Sequence, residues 1–229
     1  MEFQEGKILY FNKPLNWTSF DLVNRVRNII SKHTGQKIKV GHAGTLDPLA
    51  SGVMILCTGK ATKKIEDMQY LTKEYVATLK LGETTPSFDL EHPVDFVYPT
   101  EHINRELIDS IIPQFIGEIW QRPPVYSAVK IDGKRAYSYA RQGKEVDIQP
   151  KLLVIDQIEV LNFEKPFLTL KTVCSKGTYI RALARDIGIA LGSGAHLTAL
   201  QRTRTGNIKL DDCITIEEFI KILNNRIIE

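Results

Sequence analysis

The chain has 229 residues, of which 43% are hydrophobic and 25% charged, with 15 Gly, 10 Pro and a formal net charge of +3. That length supports one large domain or two small ones, and the composition excludes collagenous, low-complexity and largely disordered chains. The longest apolar runs, such as Val53-Met54-Ile55-Leu56-Cys57, fall far short of the ~20 residues of a membrane helix, and the acidic start Met-Glu-Phe-Gln-Glu-Gly-Lys lacks the apolar region of a secretory signal, so a cytoplasmic protein is expected.

In chain order, residues 8–11 read as a short strand before Lys13-Pro14. Thr18 or Ser19 caps a following helix whose apolar residues Leu22, Val23, Val26, Ile29 and Ile30 keep the 3.6 period. Residues 34–52 form a Gly- and Pro-punctuated loop, longer than a plain connector. A buried strand is expected over 53–57, a helix over 61–71, a strand over 74–81 and a helix over 104–115 in an acidic stretch. Residues 125–131 read as a strand, followed by an Asp132-Gly133 turn and a short helix over 137–142. Strands over 152–163 and 167–174 follow, then a helix opened by Thr178 with the stripe Ile180, Leu183, Ala184, Ile187 and Leu191, stopped by Gly192. A strand over 196–203 and a helix over 216–223 close the chain. Strands and helices do not alternate strictly, which points to an α+β fold with a mixed sheet. With no repeat, linker or low-complexity tract, residues 1–229 are expected to form a single domain.

Cys57, Cys174 and Cys213 make no C-x-x-C pair, and the five histidines show no zinc spacing, so neither a disulfide framework nor a structural metal is expected. Charge is segregated: seven Lys/Arg stand against three acids over residues 1–40, one against seven over 81–112, and six against one over 176–209. Such segregation builds a basic face on a nearly neutral protein, suited to a phosphate backbone. Gly59-Lys60-Ala61-Thr62 is no phosphate loop, because Gly52 is too far back and Ala61 stands where a magnesium-binding hydroxyl is needed. Gly192-Ser193-Gly194 lacks a third glycine and follows a helix, so the dinucleotide fingerprint also fails.

The segment that carries chemistry is Gly41-His42-Ala43-Gly44-Thr45-Leu46-Asp47-Pro48-Leu49-Ala50-Ser51-Gly52. Its three glycines permit tight backbone paths and close approach of another molecule. Pro48 pushes Asp47 out of helical geometry, which fixes a carboxylate at the mouth of a core strand. Taken alone, Asp-Pro is a turn dipeptide. Taken whole, the segment resembles the signature of the TruB family of tRNA pseudouridine synthases. Lys13-Pro14 with Trp17-Thr18-Ser19, Lys73-Glu74-Tyr75, the blocks 122–130 and 133–137, Cys174 to Arg181 and Gly194 to Arg202 resemble the family's other motifs, in order, over nearly the whole chain.

The resemblance implies a pseudouridine synthase fold, a mixed, largely antiparallel bent sheet flanked by helices and loops. It implies an enzyme that detaches the uracil of T-loop uridine 55 of tRNA from N1 and rejoins it through C5, with base flipping and without a cofactor. By resemblance Asp47 is the reacting carboxylate, Arg181 the guanidinium that keeps it charged and Tyr75 the active-site phenol. His42 takes the space left by the flipped nucleotide, and Leu200 packs against the base or the tyrosine. Lys13, Lys130, Lys176 and Tyr179 contact RNA or line the site, and Tyr126 is a packing residue. The tRNA T-arm is the expected partner, with a monomer needing no obligate protein partner.

Three departures stand out. Asn16 replaces the family's usual Gly, and Asn is the side chain that best tolerates positive φ. Residues 84–91 are less polar than the family's Asp- and Gly-rich version. Only residues 211–229 follow the last motif, so a C-terminal RNA-binding PUA domain is not expected. Two rival readings are an RNA-binding module without catalysis, which would not need Asp47, Tyr75 and Arg181, and a guide-RNA enzyme related to dyskerin.

Overall fold

The computed structural model describes residues 2–127, 129–131, 133–140, 142 and 146–225, with the backbone alone at 130, 131, 134, 135, 137 and 140. The chain divides into two compact units, Met1–Glu74 with Gln201–Glu229, and Tyr75–Leu200. The strands Lys73–Leu81 and Ala195–Thr205 each carry the chain from one unit into the other.

In the first unit, strand Ala50–Thr58 is buried at nearly every position, so its sequence is a continuous apolar run rather than an alternating one. Ile8–Lys13 pairs with it antiparallel from Ile8 opposite Cys57 to Lys13 opposite Gly52. The short strand Val40–His42, inside what the sequence reads as a loop, pairs with its far end, Val40 opposite Thr58 and His42 opposite Leu56. Helix Ser19–Thr34 begins at a full capping box, in which the Asp21 amide donates to Thr18 Oγ1 (3.0 Å) and the Thr18 amide to Asp21 Oδ2 (2.8 Å). Such a cap stabilises by ~1 kcal/mol. Gly35, with φ 67°, ends the helix, and Leu22, Val23, Val26 and Ile30 form its buried stripe. Helix Ile216–Asn225 buries Ile216, Phe219 and Leu223, with Phe219 edge-on to Phe11 at 5.3 Å between ring centres.

In the second unit, Gly117–Gln121, Lys151–Glu164 and Phe167–Cys174 form an antiparallel meander with the long strand in the middle. Helix Arg105–Ile111 starts at Asn104, whose side chain accepts from the Leu107 amide. It ends earlier than its sequence pattern implies, because Pro113 turns residues Ile112–Phe115 into a 3₁₀ turn. Helix Ile180–Ala190 turns Ile180, Leu183, Ala184 and Ile187 inward. Glu83–Thr84 pairs with Phe96–Val97, and Lys130–Ile131 with Lys134–Arg135, each antiparallel. The fold is α+β, and every strand pair named above is antiparallel. Among the described residues no helix is long and apolar enough to cross a membrane.

Four local expectations need correction. Residues 125–127 are bends, not strand. Pro123 and Pro124 offer no amide donors there, and the Tyr126 carbonyl accepts from Arg181 instead of from a ladder. The helix expected over 61–71 is a 3₁₀ turn, Gly59–Lys64, followed by a single helical turn, Ile65–Gln69. The helix expected over 137–142 is Ala136–Ala140, with Arg141 outside the described residues, as is Asp132 of the expected turn. The helix assigned to Thr178 starts two residues later, with Tyr179 as its N-cap.

Candidate active site

The first unit holds Lys13, His42 and Asp47 of the expected set; the second holds Tyr75, Lys130, Lys176, Tyr179, Arg181 and Leu200.

Asp47 stands at the first position of a tight turn closed by the Ala50 amide on the Asp47 carbonyl at 3.1 Å. The loop around it is pinned at successive residues. The buried Ser19 hydroxyl donates to the Leu46 carbonyl (2.9 Å) and accepts from the Leu46 amide (2.8 Å), and Leu46 is buried in turn. The Asn16 amide donates to the Pro48 carbonyl at 2.8 Å. Asn16 takes φ 64°, the left-handed conformation that the sequence reading allowed for it. Asp47 itself remains half-buried.

Lys13 lies wholly inside, and its ammonium donates to the Pro14 carbonyl (2.9 Å) and the Trp17 carbonyl (2.6 Å). Those two bonds close the turn that presents Asn16 to the Asp47 loop. Lys13 is thus an internal residue, not one on the surface. Burial pulls the Lys13 pKa down to about 8, while the Asp47 carboxylate pulls it up and the Arg202 guanidinium pushes it down further. His42 ends its short strand with a buried Nδ1. Burial, reinforced by Arg202, holds its pKa below the usual value, which favours the neutral imidazole.

In the second unit, Arg181 occupies the first turn of helix Ile180–Ala190 and is 4% exposed. Its Nη1 donates to the Ser87 carbonyl (3.1 Å), its Nη2 to the Tyr126 carbonyl (2.9 Å), and its Nε faces the buried Asp89 carboxylate at 3.7 Å. The helix start is fixed by the buried Gln121, whose amide accepts from the Tyr179 N–H (2.9 Å) and donates to the Tyr179 carbonyl (3.2 Å). Tyr75 is buried in strand Lys73–Leu81, where burial alternates with period two. Leu200 is half-buried and Lys176 exposed. Lys130 lies on its short strand, with its side chain outside the described residues. The Tyr126 ring packs on His92 at 4.4 Å.

Sequence reasoning missed Asp89 and Gln121. Both are identified by long-range partners, Asp89 by a buried guanidinium and Gln121 by a helix start, and no local pattern marks either. A buried arginine demands a carboxylate or several carbonyls, and that demand was the only available pointer.

Residues 31–180 match the family model "TruB family pseudouridylate synthase (N terminal domain)", and residues 181–226 match "tRNA pseudouridylate synthase B C-terminal domain". A tRNA pseudouridine synthase B of Phocaeicola vulgatus is 61% identical over 230 residues, covering 100% of this chain and 98% of that protein. A protein of the same description from Flavobacterium johnsoniae is 47% identical, covering 95% of this chain and 96% of its own length. Among solved structures, a Cbf5–Nop10–Gar1 complex superposes with TM-score 0.73 at 31% identity, covering 96% of this chain and 54% of that one. An H/ACA RNP bound to a substrate RNA containing 2′-deoxyuridine gives TM-score 0.70 at 29% identity, covering 96% and 54%. The chain thus spans about half the length of those two structural relatives. By family match and by identity over its whole length, the chain belongs to the TruB family and is a tRNA pseudouridine synthase, an isomerase that acts on RNA.

Proposed function

We propose that the enzyme isomerises uridine 55 in the T-loop of tRNA, with Asp47 as the reacting carboxylate. The observation that carries this reading is the pinned turn 44–50, which holds one half-buried carboxylate on a loop fixed at Leu46, Pro48 and Ala50. Breaking the N1–C1′ bond leaves C1′ electron-poor and the uracil detached. The uracil turns, C5 bonds to C1′, the C5 proton leaves and N1 takes up a proton. Substrate and product are isomers, so the balance calls for no redox or group-transfer cofactor. A fixed, ionised carboxylate acts on the ribose in this scheme, at C1′ or through the C2′ proton.

Arg181 keeps the reacting carboxylate charged in a site closed by RNA, through a rigid planar fork. Tyr75 stacks on the uracil and takes part in proton transfer. His42, favoured as neutral imidazole, fills the stack left by the flipped nucleotide, and Leu200 packs on the base. Lys130, Lys176 and Tyr179 contact the T-arm, and Lys13 supports the wall. The enzyme acts in the cytoplasm as a monomer without an obligate protein partner.

Position and target are tested by incubating the protein with transcribed tRNA and with a T-arm minihelix, then mapping pseudouridine at single-nucleotide resolution. Conversion at the T-loop uridine in both RNAs is expected. Conversion only in the presence of a separate guide RNA, or in another arm, overturns the proposal.

A further inference from the structure

Arg202 lies in strand Ala195–Thr205, is 2% exposed, and belongs to no part of the reaction described so far. Its guanidinium bonds to three backbone carbonyls. Nε donates to Val53 (2.7 Å), Nη2 to Gly44 (3.2 Å) and Nη1 to Thr45 (3.4 Å). Gly44 and Thr45 precede Asp47, and Val53 follows the loop within strand Ala50–Thr58. One planar group therefore ties the incoming limb of the Asp47 loop to the outgoing strand. The Arg202 backbone also runs close against the end of the loop. Gly52, at φ 113°, lies so close that a Cβ there would collide with the Arg202 carbonyl and amide.

We infer that Arg202 is a positioning residue for the isomerisation, setting the backbone from which the Asp47 carboxylate reaches the ribose. The inference deepens the function proposed above and rests on Asp47 being the reacting group. The physical case turns on the kind of partner. A buried guanidinium satisfied by carbonyls, and not by a carboxylate, is an expensive way to fill space, and an apolar side chain of similar volume would pack the same region without a desolvation cost. What the guanidinium supplies is several N–H vectors in one rigid plane, which an ammonium on a flexible stem cannot reproduce. Ser19 fixes Leu46 and Asn16 fixes Pro48. Arg202 fixes the two residues on the incoming side, so the Asp47 backbone is held from both flanks. A shift of ~1 Å in a reacting group costs on the order of 100-fold in rate.

The test compares wild type, Arg202→Lys and Asp47→Asn in single-turnover reactions on a T-arm minihelix, with RNA affinity measured separately. Arg202→Lys keeps the charge and loses the plane. Its rate at saturating RNA should fall on the order of 100-fold with RNA affinity changed by less than about threefold. Amide exchange should quicken in the peptide covering residues 43–50 while helix Ser19–Thr34 stays protected. A merely structural role would lower affinity and rate together and loosen the whole unit. If Arg202→Lys does not fold, wild-type protein still decides the matter. A guanidinium held by three carbonyls gives separate, slowly exchanging Nη signals in ¹⁵N NMR, and one averaged signal overturns the inference. A wild-type rate for Arg202→Lys beside an inactive Asp47→Asn overturns the role of Arg202 and leaves the site reading intact. An active Asp47→Asn overturns that reading, and the role of Arg202 with it.

Discussion

Replacing Asp89 by Asn removes the charge that faces the Arg181 guanidinium while keeping volume and one acceptor oxygen. Both side chains are buried, with Nε and Oδ2 3.7 Å apart. At an effective dielectric near 20, unit charges at that separation attract by about 4–5 kcal/mol. Stripping one partner from a buried pair costs ~3–5 kcal/mol, because the survivor stays desolvated. The Ser87 and Tyr126 carbonyls still receive two of the guanidinium's bonds, and the Asn oxygen can replace part of the third. The expected loss is therefore about 2–4 kcal/mol, a drop in melting midpoint of roughly 5–15 °C for a chain of this size. Thermal unfolding followed by circular dichroism measures it. Single-turnover assays well below the midpoint should show the rate falling by roughly 10- to 100-fold, since Arg181 then loses the charge that helps set its direction. A midpoint within about 1 °C of wild type, together with an unchanged rate, would refute the view that Asp89 orients Arg181.

The buried Lys13 sets a pH dependence. Its pKa is about 8 in the folded protein against 10.5 in an exposed lysine, so the unfolded chain holds a proton that the folded one has lost between those values. The stability of wild type relative to Lys13→Met should rise as pH goes from 8 to 10.5 and level off below 8, as urea titrations at several pH values would show; a flat difference contradicts the burial of the charged form. His42 works in the same direction at lower pH. With its pKa below 6.5, acidification below that value charges the unfolded chain first, so His42→Gln should lose less stability than wild type as pH falls below 6.5. Gly52→Ala should cost at least ~3 kcal/mol through positive φ and collision with the Arg202 backbone, which soluble yield and melting report. Lys37, Lys39, Lys63 and Lys64 are exposed, and the Gly59 amide bonds the Lys39 carbonyl at 2.8 Å, which ties the segment of the first two to the start of the turn that carries the others. Reversing Lys63 and Lys64 to Glu should weaken tRNA binding and flatten its salt dependence, and an unchanged slope of affinity against salt would remove these two lysines from the interface.

What the sequence made legible was local. Of the two cap residues the sequence offered, Thr18 is the one used, and of the apolar stripe Leu22, Val23, Val26 and Ile30 turn fully inward while Ile29, at the stripe's margin, stays half-buried. Asn16 could be read as a left-handed residue because few side chains tolerate that region. The Asp47 loop could be read as a rigid carboxylate mount from Gly44, Pro48 and Gly52. Elements defined by a distant partner were not legible. Strand Val40–His42 is three residues long and exists through its pairing with Ala50–Thr58, and Gly117–Gln121 exists through Lys151–Ile155. The run from Val125 has strand-like composition, yet Pro123 and Pro124 precede it and Arg181 takes the Tyr126 carbonyl. Asp89 looks like one more acid in an acidic stretch until its guanidinium partner is known.

The central claim is that a single carboxylate, Asp47, performs the rearrangement on a T-loop uridine. Its most direct test is quench-flow conversion of tRNA by wild type and by Asp47→Asn, with pseudouridine mapped in the product and tRNA affinity measured alongside. The expected result is T-loop conversion by wild type, none by Asp47→Asn, and tRNA affinity within a few fold between the two. Conversion by Asp47→Asn at the wild-type rate would contradict the account.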